Sequence, residues 1–249
     1  MPNLNDLTIT YGAKHKGMEY ESSLFGMKMA DAEVFSECLW TTQSLVRLSM
    51  PNNLLDYDLV KILSRGLMLN KTISILDLSH NKIGNSASSK IALYLYQSKI
   101  LTHLYLGDNL IHEKGARCIG DALKVNRSLW VLDMHLNRID DKGGMRFIQA
   151  LSERGGNKVL FDLNLRANSL ESNFADALSK LLMDTSLKWI DVSCNMIKKW
   201  DAESLLAALW QNKNVIHFDI WNNDIQDKEV EDLIHETVMN NYLEYWKIP

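Results

Sequence analysis

Apolar residues follow a short recurring pattern along the chain. Between Leu101 and Ile111, apolar residues stand at the first, fourth, sixth and eleventh positions, and an asparagine stands at the ninth. Seven full copies of this pattern are present, and they begin at Leu45, Ile73, Leu101, Leu129, Leu160, Leu187 and Val215. The steps between them are 28, 28, 28, 31, 27 and 28 residues, so the chain is built from an internal repeat.

Each repeat is predicted to contain one strand and one helix. Alternating apolar and polar residues from the third to the seventh position predict a short strand. The residues that follow have helical spacing, as in Ala202, Leu205, Leu206 and Leu209. Parallel strands stack about 4.8 Å apart whereas helices are about 10 Å wide, so we expect the stack to bend with its strands inside.

The pattern L-x-x-L-x-L-x-x-N-x-L is the leucine-rich-repeat signature, and repeats of this length resemble the ribonuclease-inhibitor type. The predicted fold class is α/β: a leucine-rich-repeat solenoid, or horseshoe, with a parallel β-sheet on the concave face and helices on the convex face. We assign residues 1–249 to one leucine-rich-repeat domain, with seven repeats over 45–242.

The two ends of the chain depart from this pattern. Residues 1–44 form an atypical first repeat with an insertion from Tyr11 to Phe25, and a loop from Glu153 to Asn157 lengthens the fourth repeat. Residues 243–249 are predicted to form a truncated last strand, since Leu243, Trp246 and Ile248 match the pattern. An open strand edge needs a cover, so we expect a docking partner at this end.

The ninth position of the repeat is asparagine in all seven copies: Asn53, Asn81, Asn109, Asn137, Asn168, Asn195 and Asn223. An amide that turns inward must satisfy its donors and its acceptor, and the backbone of adjacent repeats offers partners. We therefore predict a structural asparagine stack formed by these residues.

Side chains at the third, fifth and seventh positions should face the concave surface. Exposed tryptophan on a rigid sheet is a candidate for binding, which singles out Trp189 and Trp221, with His217 and Asp219 beside them. The other candidate partner-binding residues are Asp191, Arg166, His135, Tyr105 and His103. Two alternatives stay open: another segment covers the tryptophan rings, or the last repeats use them as a cap. The aspartates of the fifth position are either an acidic site for a basic partner or a feature of the motif itself.

Composition and charge exclude several functions. The balance of 27 basic against 31 acidic residues gives a net charge of −4, which disfavours nucleic acid and anionic membranes as partners. We expect no membrane span, because the apolar runs are short, and no secretory signal, so the sequons at Asn70 and Asn126 are interpreted as loop residues. The three cysteines are too widely spaced for a metal cluster or a disulfide framework.

Known catalytic motifs are absent from the sequence. Phosphate-binding loops, H-E-x-x-H and G-x-S-x-G do not occur, so we expect a protein that is not an enzyme. His103, His135 and His217 share the inner face without a further residue at ligand spacing, so no metal site is predicted. We also expect no cofactor and no small-molecule substrate.

Four stretches resemble a narrower family. They are Leu7 to Glu21, Leu24 to Ala32, Leu136 to Gly144 and Phe218 to Ile234, and they are similar to the t-complex-associated testis-expressed family. That family supplies the leucine-rich-repeat subunit of the nexin-dynein regulatory complex in motile cilia. The resemblance implies a non-enzymatic scaffold that docks beside coiled-coil subunits, with a place in the cytoplasm, the cytoskeleton and the axoneme of the cilium or flagellum.

The alternative function is a soluble cytoplasmic leucine-rich-repeat regulator, either GTPase-regulating or inhibitor-like. The sequence has no acidic tail like that of the Ran GTPase activators. It also has fewer cysteines than the ribonuclease inhibitors, so both features favour the scaffold.

Overall fold

A computed structural model describes residues 4–11, 26–153 and 157–247 of the chain. The predicted insertion of the first repeat lies outside these residues except at its first position, and so do the middle of the Glu153 to Asn157 loop and the last two residues. Eight strands are described: β1 Asp6–Thr8, β2 Arg47–Ser49, β3 Ile75–Asp77, β4 His103–Tyr105, β5 Val131–Asp133, β6 Asp162–Asn164, β7 Trp189–Asp191 and β8 His217–Asp219. Eight helices alternate with them: α1 Met29–Thr41, α2 Tyr57–Leu69, α3 Asn85–Gln97, α4 Glu113–Leu123, α5 Asp140–Ser152, α6 Ser172–Leu182, α7 Lys199–Gln211 and α8 Lys228–Tyr245.

The strands form one parallel sheet in the order of the chain, from β1 to β8. Each strand begins at the third position of its repeat, and equivalent positions pair, as Leu48 with Leu76 and Leu76 with Leu104. The structure thereby confirms the predicted α/β leucine-rich-repeat solenoid with its parallel sheet. β1 shows that the atypical first repeat, residues 1–44, also contributes a strand, which pairs with β2.

The core lies between the sheet and the helices. In the third full repeat, Leu101, Leu104, Leu106 and Ile111 are all 0% exposed, so the four apolar positions of the pattern point inward. The helices contribute an apolar stripe each, and α2 is fixed at its start by Asp56, whose carboxylate accepts from the backbone N–H of Leu59. Burial of these stripes is the main stabilising term of the fold.

The ninth-position asparagines link each repeat to the next. The Asn137 amide donates to the carbonyl oxygens of Leu106 at 2.9 Å and Met134 at 3.0 Å, and its oxygen accepts from the N–H of Ile111 at 3.0 Å. One side chain thus satisfies backbone groups that would otherwise be buried without partners. Asn223, in the last repeat, is half-buried rather than buried, and it makes the equivalent bonds to Val192 and Ile197.

A second set of asparagines lies where helices end. We call Asn70, Asn126, Asn157 and Asn212 the helix-end ladder. Each donates to a carbonyl of the helix in the preceding repeat, at Leu39, Leu95, Leu123 and Leu182. Their oxygens accept from the backbone two and three residues further on, as Asn126 does from Ser128 and Leu129. Asn70 and Asn126, interpreted from the sequence as loop residues, are only 7% and 3% exposed, and their side chains hold neighbouring repeats together.

The carboxyl-terminal prediction is wrong. Residues Leu243 to Tyr245 continue helix α8 and do not form a truncated last strand, while residues 248 and 249 lie outside the described part. The reason is a buried face at helical spacing, made of Val230, Ile234, Val238 and Asn241. Asn241 donates to the carbonyls of Asn212 and Val215, which anchors the helix to the last repeat.

The apolar residues at this end of the sheet are covered by the chain itself. Helix α8 packs against β8, and Ile216 and Phe218 of that last repeat are 4% and 6% exposed. A ring contact adds to the cover, because the ammonium of Lys188 lies 4.0 Å from the centre of the Tyr245 ring. The chain supplies its own cap at this end of the sheet.

Candidate functional site

The concave surface brings five of the predicted residues together. Trp189 and Asp191 lie on β7, and the register of the sheet places His217 opposite Trp189 and Asp219 opposite Asp191. Trp221 follows β8 and is 41% exposed. Because neighbouring strands lie about 4.8 Å apart, these five side chains form one continuous patch.

The two tryptophans have different surroundings. The Trp189 ring is half-buried and packs edge-on against Phe161, with 5.0 Å between the ring centres. Trp221 borders an open groove of about 230 Å³ between β8 and α8, which His235, Met239 and Tyr242 line from the helix side. The alternative that other segments cover these rings therefore applies in part to Trp189, whereas the side chain of Trp221 is exposed beside the groove.

The remaining predicted residues lie elsewhere on the concave face. His103 and Tyr105 belong to β4, three strands from β7, and their rings stack with 6.4 Å between centres. Burial lowers the pKa of His103, and the nearby Arg47 charge lowers it further. Arg166 follows β6 and is exposed. The structure does not bring these three residues into the patch.

His135 is engaged with a carboxylate that the candidate set omitted. Its Nδ1 lies 2.7 Å from Oδ1 of Asp133 at the end of β5. His135 is therefore held against Asp133, which stands at the fifth position of its repeat.

Asp162 is an acid of the concave face with a raised pKa, and it too was missed. The register places it between Val131 and Trp189 on neighbouring strands. Partial burial raises its pKa, the charges of Asp133 and Asp191 raise it further, and His217 opposes them. The column of third positions already contained Asp162, but a sequence shows neither its burial nor its acidic neighbours.

The patch is acidic and aromatic. Its carboxylates are Asp133, Asp162, Asp191 and Asp219, and its aromatic groups are Trp189 and Trp221. We call these six residues, together with His217, the concave patch. Such a surface can bind cationic groups through charge and through the faces of the indole rings.

Within residues 4–11, 26–153 and 157–247, no group of three or more His, Cys, Asp or Glu side chains could hold a metal ion. No helix in that part of the chain is long and apolar enough to cross a membrane.

Comparison with known proteins supports the repeat assignment. The family model described as "Leucine Rich repeat" matches residues 69–92 and 125–147. Dynein regulatory complex subunit 5 of Chlamydomonas reinhardtii is 40% identical over 58 residues, which is 23% of this chain and 15% of that protein. The human NACHT, LRR and PYD domains-containing protein 14 is 28% identical over 204 residues, which is 79% of this chain and 18% of that protein. The chain thus spans less than a fifth of either relative.

A solved structure agrees with the fold. An internalin from Listeria monocytogenes superimposes with a TM-score of 0.51 at 15% identity, covering 79% of this chain and 54% of that one. None of these similarities indicates a catalytic family. The chain is a leucine-rich-repeat protein, of the kind that generally serves as a non-enzymatic binding scaffold, and part of it resembles dynein regulatory complex subunit 5.

Proposed function

We propose that this protein is a structural and regulatory scaffold of ciliary axonemes, and that it binds a coiled-coil subunit of the nexin-dynein regulatory complex. The observation that carries the proposal is the stretch of 58 residues that is 40% identical to dynein regulatory complex subunit 5, since that relative's name specifies an assembly. The concave patch supplies the chemistry of binding.

The concave patch favours a partner that presents lysine or arginine. Four carboxylates lie on neighbouring strands of this surface. Partial burial is the largest cause of the raised pKa of Asp162, and repulsion from Asp133 and Asp191 adds to it against the opposing His217. A basic segment would relieve this repulsion and would place cations over Trp221. A rigid sheet loses little conformational entropy on binding, which suits a permanent scaffold.

The location is tested in a ciliated cell. We expect the tagged chain to remain with axonemes after extraction with detergent and salt, and to be lost when neighbouring linker subunits are deleted. Recovery in the soluble fraction would contradict the axonemal assignment and would favour the alternative, a soluble GTPase-regulating or inhibitor-like binder.

The contact surface is tested with matched tryptophan variants. We expect Trp221→Ala to weaken capture of the regulatory-complex partner by about 2 kcal/mol, the usual cost of truncating a central aromatic contact. Trp200→Ala is the control, because Trp200 is 59% exposed on α7, away from the concave patch. Equal capture by both variants would exclude the concave patch as the docking surface.

A further inference from the structure

One edge of the solenoid, where helices end and the next strands begin, carries a column of exposed apolar side chains. Leu69, Tyr96 and Val125 each stand one or two residues before the helix-end position of their repeat, and they are 54%, 53% and 44% exposed. Trp40, Met183 and Trp210 are exposed at corresponding places of other repeats.

A basic column runs beside it. Lys71, Lys99 and Arg127 directly follow the helix-end positions Asn70, Ser98 and Asn126, and all three are exposed. Lys158 and Lys213 occupy the same place after Asn157 and Asn212. We call the central six residues, Leu69, Lys71, Tyr96, Lys99, Val125 and Arg127, the edge strip.

The edge strip is positive although the chain as a whole carries a net charge of −4. Residues 65–75, 93–103 and 122–132, which contain it, include no aspartate or glutamate. Lys71 and Lys99 form no ion pair within the described residues. Their charges are therefore available to a partner.

Helix electrostatics explains only part of this arrangement. Cations near helix carboxyl termini complement the helix dipole, and Arg127 does so by donating to the carbonyls of Leu123 and Asn126. That role gives no reason for three large apolar side chains to lie in solvent next to the cations. A ligand that is both acidic and apolar accounts for both columns.

The geometry of the edge strip suits a helix. Tyr96, Lys99, Val125 and Arg127 line an open groove of about 380 Å³ between two repeats. Equivalent positions in successive repeats are separated by about 5 to 10 Å, the range between strand spacing and helix spacing. One turn of an α-helix rises about 5.4 Å and one heptad about 10.5 Å, so side chains on one helical face can meet successive repeats.

We propose that the edge strip binds an acidic amphipathic helix of a protein partner. Apolar side chains of that helix contact Leu69, Tyr96 and Val125, and its carboxylates face Lys71, Lys99 and Arg127. The three cations follow one another along the edge of the solenoid, and Lys99 and Arg127 line the groove, which fits a rod-shaped ligand better than the plane of a membrane. The site is separate from the concave patch and does not depend on the axonemal assignment.

The test uses the full chain and a defined probe. A fluorescent three-heptad peptide with leucine at the core positions and glutamate at the flanking ones is titrated by anisotropy, beside a peptide with lysine in place of glutamate. We expect the acidic peptide to bind, and K71E/K99E/R127E to weaken it by about tenfold or more. The matched control is K82E/K114E/R117E, the same charge change on exposed residues outside the edge strip, which should leave binding unchanged.

Two further measurements test the folding of the variants and the role of the apolar residues. Circular dichroism and the urea midpoint verify that each variant folds, and L69S/Y96S should weaken binding without any change of charge. Equal binding by the edge-strip variant and its control would overturn the proposal. So would failure of the acidic peptide to bind while vesicles of phosphatidylcholine and phosphatidylserine in equal parts retain the wild-type chain, because a membrane would then be the ligand.

Discussion

Residues at the eighth position of the repeat adopt left-handed backbone, with φ between 50° and 58° in seven repeats. Leucine is poorly suited to this conformation, yet Leu136 has φ 51° and is 51% exposed. We expect Leu136→Asn to raise the free energy of unfolding by about 0.5 to 1 kcal/mol, because asparagine tolerates left-handed backbone and little apolar burial is lost. Urea denaturation measures the change.

The control for this prediction is a leucine on ordinary helical backbone. Leu93 on α3 is 43% exposed, and Leu93→Asn should lower stability slightly because asparagine is a weaker helix former. A lower urea midpoint for Leu136→Asn than for wild type would show that the left-handed backbone at Leu136 is not strained.

The helix-end ladder should contribute measurably to stability. Asn126 makes four bonds to the backbone, to Leu95 and Ser98 as donor and from Ser128 and Leu129 as acceptor. We expect Asn126→Ala to cost about 1 to 3 kcal/mol, since it leaves buried polar groups without partners. Asn240→Ala, on the exposed face of α8, is the matched control. If both variants changed thermal unfolding by a similar small amount, the prediction would be contradicted.

Asp162 should lower stability at neutral pH. Its pKa is raised in the folded state by burial, Asp133 and Asp191, against His217, so folding favours the protonated carboxyl. Stability is therefore lost as the pH rises from the ordinary carboxyl range through the raised pKa. We expect Asp162→Asn to unfold at higher urea than wild type at pH 7, and the gain to vanish below about pH 4. Asp176→Asn, at an exposed residue paired with Lys180, should show no such gain, and a gain independent of pH would refute the electrostatic cause.

At the scale of elements, the sequence predicts strands better than it predicts ends. Every strand from β2 to β8 begins at the third position of its repeat, because alternation over a buried sheet is a strong local signal. The same pattern gives a wrong prediction at helix α8. Leu243 and Trp246 match the strand pattern, but the buried helical face from Val230 to Asn241 extends the helix through Tyr245. The buried face stabilises the helix along its length, whereas the strand pattern covers only a few residues.

The candidate site, too, could be predicted only in part from the sequence. Columns of the repeat predict which side chains share the concave face, so Trp189, Asp191, His217 and Asp219 are found together. The sequence cannot show that Phe161 covers Trp189, because that contact depends on side-chain packing between repeats. The sequence does not predict the helix-end ladder, because asparagine is also common in ordinary loops.

The start of α8 provides a test at the element scale. The Asp227 carboxylate accepts from the N–H groups of Glu229 and Val230 and lies 2.6 Å from the Lys199 ammonium, which lowers its pKa. A lowered pKa gives stability that is present above the ordinary carboxyl pKa and is lost as the pH falls through the lowered one. We expect Asp227→Ala to lower the melting temperature at pH 7, with a difference from wild type that shrinks in acid. Asp224→Ala is the exposed control, and an equal loss there would argue against a capping role.

At the scale of the whole molecule, a solenoid depends on contacts between neighbouring repeats and on covers at its ends. Helix α8 shields Phe218 and meets the preceding repeat through Asn241 and Tyr245. We expect a chain ending at Gln226 to expose β8, to bind a hydrophobic dye and to self-associate in sedimentation velocity, because an uncovered strand edge pairs with another edge. A chain ending at Glu244 keeps Asn241 and loses only the last residues, so it should remain monomeric. If the shorter chain also stayed monomeric and bound no more dye, α8 would be an appendage, and the sheet would end without needing a cap.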